Sequence, residues 1–94
     1  MHLDPKDAQY LDALLKTYQT RASQEGKPMI ARTIETMRDH LPKEGGVTDE
    51  KLVMDIQFLL LPLLENDDPA GPPETMKAHV RELFKSMDRG RSSQ

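Results

Sequence analysis

The segment LVMDIQFLLLPLL, residues 52–64, decides the fold. Only Asp55 and Gln57 interrupt its apolar run before Pro62, and at about 100° per residue these two polar side chains point about 160° apart. No wide polar face is left, so the helix that this segment predicts must be covered around most of its circumference. Its uninterrupted apolar stretch, Phe58 to Leu64, falls far short of the roughly 20 residues that cross a bilayer. The cover therefore has to come from protein.

The residues before this segment read as a helix start. Thr48 is placed as the N-cap, Asp49 and Glu50 supply negative charge to the first turn, and Val47 with Leu52 is spaced for a hydrophobic staple. At its other end Pro62 lacks a backbone donor and disfavours helix at Leu61, which predicts a kink or stop, with Leu63 and Leu64 forming a short extra turn.

Three amphipathic helices surround this one in sequence. Asp4 and Pro5 open the first, and Leu11, Leu15, Tyr18 and Ala22, with Ala8 and Leu14 beside them, fall on one face up to Gly26. The second begins near Pro28 and repeats the spacing at Ile30, Ile34, Met37 and Leu41, ending at Pro42 and Gly45-Gly46. After the loop signal NDDPAGPP, residues 66–73, the fourth carries Met76, Val80, Leu83 and Met87 with Phe84 adjoining, and Gly90 is its expected stop. The expected architecture is all-α: one domain, a small four-helix bundle with helices at about 4–25, 28–41, 48–64 and 73–89 and a mobile tail at 90–94. Three amphipathic helices wrap the apolar third, and dimerisation is a second way to cover it. No alternation is long enough to predict a strand.

Composition narrows the function. A chain of 94 residues, 36% hydrophobic and 31% charged, buries a core that is marginal by itself, which favours association. It has no cysteine, and no apolar N-terminal leader is expected from Met1 to Lys6; both fit a cytoplasmic protein. The net charge of −3 weighs against general nucleic-acid affinity, and four aromatic residues are few for base stacking.

The candidate chemistry is thin. His2, His40 and His79 lack the spacing of a metal site and are expected to be solvated. Aligning the Asn66-Asp67-Asp68 loop with an EF-hand puts Ala70 and Lys77 where calcium ligands belong, so it is read as a polar turn. Ser23, Ser86, Ser92 and Ser93 sit in no nucleophile elbow. Glu35 and Asp39, one turn apart, are explained by ion pairing with nearby Arg32 and Arg38. No cofactor site and no enzymatic activity are expected.

Two surface features remain. Lys77, Arg81, Lys85 and Arg89, extended by Arg91, recur every four residues on the fourth helix and form a basic stripe suited to phosphates or an acidic protein, although Glu74, Glu82 and Asp88 offset it. Met29, Met37, Met54, Met76 and Met87 fall within helices, as core filler or as an adaptable binding surface. The leading expectation is a small regulatory, adaptor or inhibitor protein that binds another protein or a second copy of itself. Its apolar helical surface is expected at Ile56, Phe58, Leu59, Leu60 and Leu63, with the basic stripe as a further contact. The alternative is a nucleic-acid binder using the fourth helix, or the second with Lys27, Arg32 and Arg38.

Overall fold

The computed structural model describes residues 1–65 and 72–92. In chain order the elements are β1 (His2–Leu3), α1 (Pro5–Gln24), α2 (Pro28–His40), β2 (Gly46–Val47), α3 (Glu50–Leu64) and α4 (Glu74–Ser92). The described chain is mostly helical, and its radius of gyration of 13.0 Å is close to the about 12 Å expected of a compact chain this long.

α1 forms where its periodicity predicts. Ala8, Leu11, Leu14, Leu15, Tyr18 and Ala22 are all buried. Asp4 is the N-cap residue, with Pro5 in the first turn, and the helix gives way after its C-cap Glu25 to Gly26, whose φ of +72° a side chain would disfavour. α2 is more peripheral than its stripe suggested: Ile34 and Leu41 are buried and Met37 half-buried, but Ile30 stays 46% exposed.

The three other helices cover α3 only in part. α1 packs against both α2 and α4, while α3 lies against α4 and α2 and keeps one face outward. At 20 residues α1 is the longest helix, and its small Ala8 and Ala22 let neighbours approach closely. One contiguous core joins Leu3, α1, Ile34, Leu41, the inner face of α3, and Val80 and Phe84 of α4.

Sequence periodicity missed a short antiparallel pairing in which His2 faces Val47 and Leu3 faces Gly46. The Thr48 N–H donates to the Met1 carbonyl at 2.7 Å, and Leu3 is driven into the core. Gly45, at φ +83°, permits this approach: a Cβ there would fall 2.7 Å from the Leu3 oxygen and the Pro5 nitrogen. The pairing also undoes the expected staple. Val47 points outward and is exposed, while Thr48 is buried and donates its hydroxyl to the Gly46 carbonyl. Asp49 is the N-cap instead, its carboxylate accepting from the Lys51 N–H at 3.0 Å.

Two expected helix ends shift. α3 continues through Pro62 to Leu64. Pro62 and Phe58 are both exposed, so the Phe58 carbonyl that loses its partner lies on the water side, where solvent satisfies it. α4 continues through Gly90 to Ser92, because an isolated glycine near a helix end costs only about 1 kcal/mol. The loop expected at 66–73 lies outside the described residues except for Pro72 and Pro73, as do residues 93–94 of the expected tail.

Candidate binding surface on the third helix

The five residues proposed on α3 divide by direction. Ile56 and Leu60 are fully buried, each about 160° from Phe58 around the helix. They are core residues and are withdrawn from the contact surface. Phe58 is 72% exposed, and Leu59 and Leu63 are half-buried. The sequence could not tell these apart because every direction around α3 is apolar.

The outward face of α3 is an ordered stripe. Lys51, Asp55, Phe58, Pro62 and Glu65 are exposed, and Met54 and Leu61 flank them half-buried. Lys51 and Asp55 are 3.5 Å apart one turn along the helix, an exposed pair of the kind that contributes at most about 1 kcal/mol.

Beside this stripe, α1, α2 and α3 frame a groove of about 210 Å³. Tyr18, Ile34, Leu59 and Leu63 line it together with the exposed Ile30 and Pro62, and Arg21, Glu25 and Lys27 supply charge. The Arg21 guanidinium lies 5.6 Å from the Tyr18 ring centre, within cation–π range. The Tyr18 hydroxyl reaches the Leu63 carbonyl at 3.5 Å. Met29, next to Ile30, is 82% exposed. Ile30, expected on the apolar stripe of α2, thus lies outside the core, as does Met29, for which the sequence left core filler and binding surface both open.

The basic stripe of α4 is not one continuous surface. Each four-residue step carries it about 40° further around the helix, so it starts against the core and ends in solvent. Lys77 is 5% exposed and lies 3.4 Å from Glu74. Arg81 donates to the Leu64 carbonyl at 3.1 Å and to Glu74. Arg81, and after it Lys77, hold the Glu74 carboxyl below the usual carboxylate range. Lys85 and Arg89 are exposed, Lys85 pairing with Glu82 at 3.5 Å.

The remaining polar groups brace the fold. His79, expected to be solvated, lies 2.6 Å from Asp7 and 4.4 Å, centre to centre, from the Tyr10 ring, joining α4 to α1. Arg38, expected to pair with its own helix, instead donates to Asp12 at 2.9 Å and Gln19 at 2.8 Å on α1. His40 is exposed, its Nδ1 2.9 Å from the Thr36 carbonyl of its own helix. Among the described residues no three His, Asp or Glu side chains converge as metal ligands, and no helix is long and apolar enough to cross a membrane. No protein-family model, curated protein or solved structure matches this chain.

Proposed function

We propose that this chain acts as a small regulatory or adaptor protein, binding protein through the apolar outer face of α3 and the groove beside it. The observation that carries this reading is Phe58, 72% exposed on a helix whose opposite face is fully buried. Single exposed apolar residues are ordinary. Here Phe58 adjoins Pro62, Leu61, Met54 and a groove rimmed by Ile30, and such contiguous apolar surface marks interaction sites. An exposed aromatic centred in an apolar patch with charge at its rim has the make-up of an interface hot spot.

The nucleic-acid reading has weaker support. Lys77 is buried and Arg81 is engaged with Leu64 and Glu74, which leaves only Lys85 and Arg89 of the described stripe exposed.

Size fractionation of extract from the source cell tests the proposal. The wild-type chain is expected in a particle larger than its own 10.7 kDa, and Phe58→Asp should return it to the free chain while its helical spectrum is unchanged. An identical particle size for both proteins would contradict the proposal.

A further inference from the structure

We infer that the protein that covers this face is a second copy of the chain, docked through α3 in antiparallel orientation about a two-fold axis at Phe58. The inference rests on the binding reading above and adds its occupant.

The two charges at the ends of the face are placed symmetrically. Lys51 and Glu65 stand seven residues to either side of Phe58, about 10.5 Å along the axis and within about 20° of its direction. Both are exposed. Turning a second α3 end for end about Phe58 puts each Lys51 opposite the other copy's Glu65. A parallel pairing would oppose Lys51 to Lys51 and Glu65 to Glu65, so the charges select the antiparallel arrangement. The apolar residues obey the same symmetry. Met54 and Leu61 both lie on one flank of Phe58, about 40° and 60° away, and meet each other across the axis while the two Phe58 rings meet on it. The Lys51–Glu65 and Met54–Leu61 contacts each occur twice, and the Phe58 pair lies on the axis, as a two-fold interface requires.

A second observation points the same way. Lys51 lies in the first turn of α3 and Glu65 at its C-cap, the ends where the helix dipole disfavours their charges. Within the chain Lys51 meets Asp55. Opposing a second helix gives each end a counter-charge.

Sedimentation equilibrium of the purified full chain tests the inference, with circular dichroism confirming that each variant is folded. The wild type should reach twice the mass of one chain in the micromolar range. Lys51→Glu and Glu65→Lys should each weaken association about tenfold or more, since each sets like charges together twice. The double variant should regain affinity, and the two single variants mixed should form a heterodimer. Because the chain has no cysteine, Phe58→Cys should also form a disulfide-linked pair on oxidation. A wild type that stays monomeric, or a double variant as weak as either single one, overturns the inference. A monomeric pure chain whose cellular particle still depends on Phe58 would overturn the second copy alone and leave the binding reading in place.

Discussion

Leu60→Ala is expected to destabilise the folded chain by about 2–5 kcal/mol, while Phe58→Ala, two residues away, should change folding by no more than about 0.5 kcal/mol. Leu60 is fully buried and belongs to the core that joins α1, α3 and α4. Truncating it removes apolar burial and leaves a cavity that its neighbours only partly close. Phe58 makes most of its contact with solvent, so its loss takes little from the monomer. The contrast is large against the roughly 5–14 kcal/mol expected for a chain of 94 residues. Chemical denaturation of the isolated variants, read at concentrations where they are monomeric, measures it. Equal losses at both positions would mean that the outer face of α3 is packed.

Phe84→Ala should cost about 3–5 kcal/mol, at the top of the range for core truncations. Phe84 is 1% exposed and the largest fully buried side chain among the described residues. It also sets the rotation of α4. The sequence stripe Met76, Val80, Leu83 and Met87 centres the helix on those four, yet Lys77, Val80 and Phe84 are the buried residues and Met76, Leu83 and Met87 flank them half-buried. The inward face is therefore turned by about 65° toward Phe84. Removing the ring should lower the melting temperature sharply and raise the solvent access of Lys77, measured by its rate of chemical modification. A small thermal shift with Lys77 still protected would contradict this role for Phe84.

That rotation also explains how far the sequence could be read. Four helices were legible because apolar residues recurred at helical spacing and proline and glycine punctuated them; the α1 face was legible residue by residue. The angular setting of α4 was not, since the pattern alone weights Met76 and Phe84 alike, whereas packing favours the larger, more rigid ring. In α3 the opposite difficulty arose. With apolar residues in every direction, nothing local distinguished Ile56 and Leu60, which pack inward, from Phe58. The β1–β2 pairing was illegible for a third reason: two-residue strands carry no periodicity, and their partners lie more than forty residues apart. The basic stripe was seen as a row of residues, but its winding from buried Lys77 to exposed Arg89 follows only once the inward face of α4 is known.

Photo-crosslinking from the outer face of α3 tests most directly the proposal that protein covers this face. A benzophenone side chain placed at Phe58 in the full chain, irradiated in the source cell, should give a discrete protein adduct; the same group at exposed Gln9 of α1 should not. Adducts from Phe58 alone would support the claim, and an adduct of twice the chain mass would identify the second copy. No adduct from Phe58, or the same adducts from both positions, would contradict it.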